Sequence, residues 1–292
     1  RSFVIQIAVV SGKGGTGKTI LTASLATLLP PGKVLIDADV DAANLALLLD
    51  PTDLRTQEFK GMDGAVIDTG LCIGCGICAE DCVYDAIRKA GDIYEIIPYR
   101  CEGCGTCTIV CPEDAVSMAS RITGMIHYAD TSAGPLLYGS LLPGFGNTGL
   151  LVHRLRQEAG LLHPNVPLVL IDGPPGIGCP LISTITGIQI AILVTEPSKS
   201  ALSDLQRLIT LCQSFRVQMF LVINRSDICQ NITEKILRLA SENEIFVLGQ
   251  IPFDHVVMDA TREGIPAPHK PGPASEAIRL ITQNLMRELE KL

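Results

Sequence analysis

The chain has no tryptophan, and aromatic residues fill only 4% of its 292 positions. It therefore lacks an indole platform on which bases could stack. Charge is also sparse, at 18% of residues, and its balance is −8 with an isoelectric point near 5.1. A chain of that sign does not neutralise a phosphate backbone through bulk electrostatics, which argues against a nucleic-acid partner. No run of about 18 apolar residues occurs, so no membrane-spanning helix is expected. The first apolar stretch leads straight into a glycine-rich loop, and no secretory signal is read there. What is plentiful is hydrophobicity, 47% of residues with a mean hydropathy of +0.34, and cysteine, with eleven residues. The first suits parallel strands buried on both faces. The second, without a secretory signal, points to metal ligation rather than disulfides. The length allows one large or two ordinary domains.

The run Phe3-Val4-Ile5-Gln6-Ile7-Ala8-Val9-Val10 precedes Ser11-Gly12-Lys13-Gly14-Gly15-Thr16-Gly17-Lys18-Thr19-Ile20, and an apolar helical pattern over 21–29 follows. Strand, glycine-rich loop and helix in that order, with Gly12, four residues, then Gly17-Lys18-Thr19, fit a phosphate-binding loop. The glycines let successive backbone N–H groups point inward at phosphate oxygens. The helix adds its positive dipole end, Lys18 reaches the β- and γ-phosphates, and the Thr19 hydroxyl can ligate magnesium. The expected nucleotide contacts are Gly12, Gly14, Gly15, Thr16, Gly17, Lys18, Thr19 and Ile20. Lys13 narrows the reading further. The string from Lys13 to Thr19 resembles the deviant Walker A sequence of the MinD/ParA/Mrp and nitrogenase iron protein class. In that class the extra lysine crosses a dimer interface to the partner's nucleotide. The resemblance implies an ATPase using ATP/ADP and Mg²⁺, with Lys13 and Lys18 meeting phosphate charge as two subunits close.

Further along, Val34-Leu35-Ile36 reads as a short buried strand, followed by a short helix ending near Asp50-Pro51. From about Thr52 to Ser120 cysteines cluster and the strand–helix alternation is lost; beyond Arg121 it is expected to resume. Strands are expected at 168–171, 189–194, 218–224 and 246–251, and helices at 148–159, 199–214, 232–243 and 274–292. The alternation implies an α/β fold of the P-loop NTPase kind, a mostly parallel sheet with helices on both faces. Residues 1–55 and 121–292 would form the ATPase domain, with 56–120 a small α+β insertion.

Cys72, Cys75, Cys78 and Cys82 are spaced C-x2-C-x2-C-x3-C, as are Cys101, Cys104, Cys107 and Cys111, with Pro112 after the last. The doubled spacing resembles that of bacterial ferredoxins with two 4Fe–4S clusters. In that motif the fourth cysteine of each run serves the other cluster. Cys72, Cys75, Cys78 and Cys111 are thus assigned to one, and Cys101, Cys104, Cys107 and Cys82 to the other. Val83 stands where a proline is usual, which loosens a turn but removes no ligand. A structural zinc site would fit C-x2-C pairs but not the doubled three-plus-one spacing. The stretch from Lys60 to Ser120 holds ten acidic residues against four basic ones. An acidic module of this kind is expected to dock on a basic patch of a redox partner protein, with ordinary solubilising charge as the other reading.

The MinD/Mrp resemblance covers nearly all of the remaining chain. Asp37-Ala38-Asp39 is similar to the family's switch I segment, whose second aspartate orients the attacking water, a role carried to Asp39. Asp41 is a second candidate or a helix cap. Asp172-Gly173-Pro174-Pro175-Gly176 is similar to the family's Walker B and switch II segment, where the aspartate reaches magnesium. Val222-Ile223-Asn224-Arg225 resembles its adenine-side strand end, and Asn224 offers a paired donor and acceptor for the base. The segment 251–254 is expected to line the base pocket. Cys179 lies seven residues after Asp172, on the segment that carries a cluster ligand in the nitrogenase iron protein. A buried small hydrophobe is the other reading of that lone cysteine. Cys212 and Cys229 are read as structural. The C-terminal helix sets Ile278, Ile281, Leu285, Leu289 and Leu292 on one stripe, with both charge signs opposite, which favours core packing over a membrane anchor.

The resemblance implies an ATP-driven redox switch working as a homodimer, or as a heterodimer with a similar ATPase, in the cytoplasm of an anaerobic prokaryote. An iron–sulfur cluster carrier, or a MinD-like positioning ATPase with a ferredoxin docking module, are the alternatives.

Overall fold

The computed structural model describes residues 4–291. Phe3, expected at the head of the first strand, and Leu292, expected at the end of the C-terminal stripe, lie outside them. The chain opens with β1 (Ile5–Ser11), α1 (Lys18–Leu28) and β2 (Lys33–Asp37), then a 3-10 turn at Leu45–Leu48 and β3 (Thr52–Lys60). The cysteine-rich stretch comprises β4 (Gly64–Ile67), α2 (Ile77–Glu80), β5 (Ile87–Ala90), β6 (Ile93–Ile96), α3 (Thr106–Val110) and β7 (Val116–Ala119). A hairpin of β8 (Ile122–Thr131) and β9 (Gly134–Leu141) leads to α4 (Thr148–Leu162), β10 (Leu168–Pro175) and α5 (Cys179–Ile185). The chain closes with β11 (Ile190–Thr195), α6 (Lys199–Ser214), β12 (Gln218–Asn224), α7 (Gln230–Glu242), β13 (Phe246–Ile251), α8 (His255–Arg262) and α9 (Pro273–Leu289).

One nine-stranded sheet runs in the order β13-β12-β11-β1-β10-β2-β9-β8-β3. Every pair from β13 to β9 is parallel, and β9-β8 and β8-β3 are antiparallel. β1 shows why its run is apolar throughout: Ile7 and Val9 point into one core, Ala8 and Val10 into the other, and all four are fully buried. Helix α1 and helix α9, through Leu21, Leu25, Ile278, Ile281 and Leu285, cover the first face; α4, α5, α6 and α7 cover the second. Each such aliphatic side chain taken out of water contributes roughly 1.5–3 kcal/mol. The apolar stripe of α9 is core, as its charge balance implied, and no described helix is long and apolar enough to cross a membrane.

The outer third of the sheet departs from expectation. The strand–helix alternation was expected to resume beyond Arg121 with no strand placed before 168; β8 and β9 form a hairpin there, and β3 pairs with β8 from Thr52 to Lys60. Residues 56–60, expected within the insertion, belong to this main sheet. β8 and β9 bury only a few positions, such as Ile126, Ala129, Leu136 and Leu137, and β3 buries Phe59 among exposed neighbours, so polar residues such as His127 and Tyr128 interrupt the apolar signal. The cysteine-rich stretch contributes two separate two-stranded sheets, β4-β7 and β5-β6, with the short helices α2 and α3 packed together.

Candidate nucleotide and cysteine sites

β1 lies at the middle of the parallel strands, between β10 and β11, and delivers the glycine loop to their carboxyl ends. In open α/β sheets that crevice is where ligands bind. Gly17 closes the loop with φ of 94°, and a Cβ there would sit 2.4 Å from the Asn224 Nδ2 atom. Only glycine meets both demands.

Lys18 opens α1 and is buried, which lowers its pKa; Asp172, Asp39 and Asp37 pull it back upward. Asp172, at the carboxyl end of β10, is 1% exposed. Its Oδ1 accepts a hydrogen bond from the Thr22 hydroxyl at 2.9 Å, while Oδ2 is buried without a partner. Burial pushes Asp172 up to about 6, against the pull of the Thr19 and Thr22 hydroxyls and the Lys18 cation. The Thr16 hydroxyl of the loop is likewise buried and unpartnered. Unsatisfied buried groups are rare in folded proteins, and two beside one lysine leave places for a cation and a phosphate oxygen.

The first aspartate of the Asp37-Ala38-Asp39 segment had no expected role, yet it organises the segment. Asp37 is fully buried, and its two oxygens accept from the backbone N–H groups of Asp39 at 3.0 Å and Leu45 at 2.9 Å. Burial, then the Asp172 charge, raises its pKa well above the ordinary value. The result is a half-buried Asp39 held near Lys18, with its own pKa raised by burial and partly restored by that lysine. Asp41 is exposed and caps no helix.

Lys13 turns to its own chain. Its Nζ lies 2.7 Å from Glu196 Oε1, 3.1 Å from the Ser198 hydroxyl and 3.4 Å from that of Ser200. Glu196 also accepts from Arg225 Nη1 at 2.9 Å. Burial pushes Glu196 upward, but the hydrogen bonds and charges of Lys13 and Arg225 outweigh it and hold the carboxyl low. Sequence reasoning missed Glu196; its position just past β11, the strand beside β1, was the available signal. Asn224 also differs from expectation in detail. Its Nδ2 donates to the Thr16 carbonyl at 2.8 Å and its Oδ1 accepts from the Arg225 N–H, so the amide fastens β12 to the glycine loop. It still borders a cavity of about 320 Å³ with Ile20, Pro252, Phe253 and Met258.

All eleven cysteines are free thiols. Cys72, Cys75, Cys78 and Cys111 line one cavity, and Cys82, Cys101, Cys104 and Cys107 line another. Each therefore takes three cysteines from one run and the fourth from the other. Gly74 and Gly103, both at φ of 70°, occupy equivalent turns, and a Cβ there would collide with the carbonyls of Asp92 and Asp63 at 2.1 and 2.3 Å. The symmetry extends to the sulfurs: Ala86 N–H donates to Cys82 Sγ at 3.4 Å and Ala115 N–H to Cys111 Sγ at 3.3 Å. Burial raises the Cys78 thiol, and the neighbouring Cys111, Cys72 and Cys75 raise it further. Among the described residues, no three His, Cys, Asp or Glu side chains converge on a single metal ion. Cys179 is exposed at the start of α5, beside a groove of about 880 Å³ along α4 and α5. Cys212 is buried and pushed up to about 12 by burial; Cys229 is half-buried ahead of α7.

The family model of the CobQ/CobB/MinD/ParA nucleotide binding domain matches residues 7–267. An uncharacterised protein of Methanocaldococcus jannaschii is 39% identical over 76% of this chain and 78% of its own. An iron–sulfur cluster carrier protein of Pyrococcus furiosus is 26% identical over 98% of this chain and 87% of its own. The septum site-determining protein MinD of Pyrococcus horikoshii, solved with Mg-ADP, superposes with a TM-score of 0.59 at 19% identity, covering 98% of both chains.

Proposed function

The chain belongs to the CobQ/CobB/MinD/ParA nucleotide-binding family, and on that premise we propose that it is a dimerising ATPase whose nucleotide state acts on two 4Fe–4S clusters. ATP hydrolysis is the activity of the MinD/ParA class it joins. The cluster reading is carried by one observation: two cavities, each lined by three cysteines of one run and the fourth of the other. That crossing is what the ferredoxin motif requires, and the backbone donors to Cys82 and Cys111 supply the hydrogen bonds that tune cluster sulfurs. The ferredoxin-like insertion would then span about 61–121, since β3 pairs within the main sheet. When bound, the clusters supply one-electron redox chemistry, and the acidic face of the insertion suits a basic redox partner.

At the nucleotide site, Gly12 to Ile20 would wrap the phosphates, and the cavity beside Asn224 and Phe253 would take the base. Thr19 and the unpartnered Oδ2 of Asp172 would hold Mg²⁺, which neutralises phosphate charge. Asp39, fixed through Asp37, would orient a water whose oxygen attacks the γ-phosphorus. The bond to the β-γ bridging oxygen breaks, ADP leaves, and the water's proton passes to the released phosphate. Lys18 meets the developing charge in cis. Lys13 would do so in trans after leaving Glu196, and the relation to the nitrogenase iron protein class rests on this lysine string. Glu196→Gln removes the charge that anchors Lys13, and should tighten ATP-dependent self-association several-fold in sedimentation velocity. An unchanged or weakened association would show that the Lys13–Glu196 pair does not compete with the dimer.

The test of the whole reading is an anaerobic redox titration followed by EPR, without nucleotide, with ADP and with a non-hydrolysable ATP analogue. A shift of about 60 mV, tenfold for a one-electron couple, is expected between nucleotide states. Identical potentials in all three would overturn it. A second reading, cluster donation to apo-proteins, is favoured by the exposed Cys179 at the nucleotide end of α5 and by the carrier relatives. It requires that Cys179→Ala abolish transfer to an apo-ferredoxin.

A further inference from the structure

We propose that Arg121 is the positioning residue that carries movement of the nucleotide switch to the cluster bounded by Cys82, Cys101, Cys104 and Cys107; the inference rests on the ATPase–cluster reading above. Arg121 stands between β7 and β8, where the chain leaves the cysteine module. Its guanidinium makes three hydrogen bonds, all to backbone carbonyls. Nε donates to Met62 at 3.2 Å, Nη1 to Pro98 at 2.7 Å and Nη2 to Cys101 at 2.6 Å. The first acceptor lies where the chain enters the module, and the other two lie at the head of the second cysteine run. A side chain at position 64 would strike this group, since a Cβ on Gly64 would lie 2.8 Å from Arg121 Cδ. The module is thus clasped at entry, exit and one set of ligands by a single side chain.

The same guanidinium lies over the Phe145 ring, 5.2 Å from its centroid. Phe145 belongs to the nucleotide-binding part of the chain, on the loop from β9 to α4, which is pinned by the Leu142 N–H to the Thr123 carbonyl at 2.9 Å. Beyond it α4 and α5 pack directly against each other. Arg156 of α4 donates to the Ser183 and Thr186 carbonyls at the end of α5, at 2.7 and 2.8 Å. Gly149 approaches so closely that a Cβ would lie 3.0 Å from the Ser183 hydroxyl. Helix α5 begins at Cys179, directly after the short loop 176–178 that follows β10, the strand that carries Asp172. A displacement of that loop therefore moves α5, α4 and Phe145 together, because packed elements transmit shifts rather than absorb them. At Phe145 the movement meets a cation whose other end holds the Cys101 carbonyl. Shifting that cation changes the charge and dipole next to one cluster, and hence its potential.

The test uses the full, cluster-loaded protein, with potentials read by EPR in the nucleotide-free and ATP-analogue states. The affected cluster is identified by the signal lost in a Cys104→Ala variant. Arg121→Met should lower the resting potential of that cluster and reduce its tenfold nucleotide shift to less than twofold. The other cluster and the ATPase rate should be unchanged. Phe145→Leu keeps the three carbonyl bonds but loses the ring, so it should leave the resting potential intact and still remove the nucleotide shift. If Arg121→Met loses its iron, Phe145→Leu alone decides. A nucleotide shift that persists in both variants overturns this inference and leaves the ATPase–cluster reading standing. Absence of a shift in the unaltered protein overturns both.

Discussion

Replacing Asp172 with asparagine is expected to abolish magnesium-dependent ATP hydrolysis while raising the melting temperature of the nucleotide-free protein. The two effects have one cause. Asp172 is 1% exposed, Oδ2 has no partner, and Thr22 is the neighbour that hydrogen-bonds the other oxygen. Burial lifts its pKa from 3.8 to about 6, so the folded state holds a proton that the unfolded chain gives up. A group raised in this way contributes its full stability below about pH 4 and loses it as the pH climbs through 6. At neutral pH the empty site therefore holds a poorly paired buried carboxylate. Asparagine keeps the shape and the acceptor facing Thr22 but does not titrate, and it also relieves Asp37, whose pKa Asp172 helps to raise.

Removing that charge is worth roughly 1–3 kcal/mol, a rise of several degrees in melting temperature at this chain length. The increment should be present at pH 7.5 and absent at pH 4. In the function proposed above the same carboxylate holds magnesium, so its loss should lower the hydrolysis rate by about 100-fold or more. Magnesium-nucleotide binding in the unaltered protein should weaken below about pH 6, as Asp172 takes up its proton. A variant that melts lower than the parent at neutral pH, or that keeps the parent's slope between pH 4 and 7, would mean that the site is not strained by this charge.

What the sequence conveyed depended on how local each feature is. The phosphate loop and the cysteine runs are contiguous strings whose residue types and spacing carry their own geometry, so both sites could be outlined before the fold was known. The parallel strands were legible because burial on both faces makes them continuous apolar runs, as in β11 and β12. β3, β8 and β9 were not, since a strand with only scattered buried positions mixes in polar residues and blurs into loop. The second tier of the nucleotide site was hidden for another reason. Glu196 and Thr22 matter only because β11 and α1 lie beside the loop and β10, which is a property of strand order. Arg121 is further still from view: an isolated arginine in a linker, whose partners at Met62, at Pro98 and Cys101, and at Phe145 come from three separate segments.

The crossed arrangement of the cysteines makes the second large prediction, which concerns pairs of substitutions rather than single ones. On the two-cluster function proposed above, Cys111→Ala alone should remove about half of the iron, and so should Cys72→Ala. If both serve the same cavity, as the lining residues indicate, the double variant Cys72→Ala/Cys111→Ala should still retain about half. The pair Cys101→Ala/Cys111→Ala touches both cavities and should lose nearly all of it. Uncrossed ligation, with each run holding its own cluster, reverses the two outcomes. The close symmetry of the two runs, down to the Ala86 and Ala115 donors, makes the two double variants comparable in all but which cavities they open. Iron counting after anaerobic reconstitution therefore reads connectivity directly. Because each cavity is walled in part by the other run, a vacancy in one should leave the remaining cluster bound but shift its EPR signal. Retention of all iron in Cys72→Ala/Cys111→Ala would show that these sulfurs are not ligands at all.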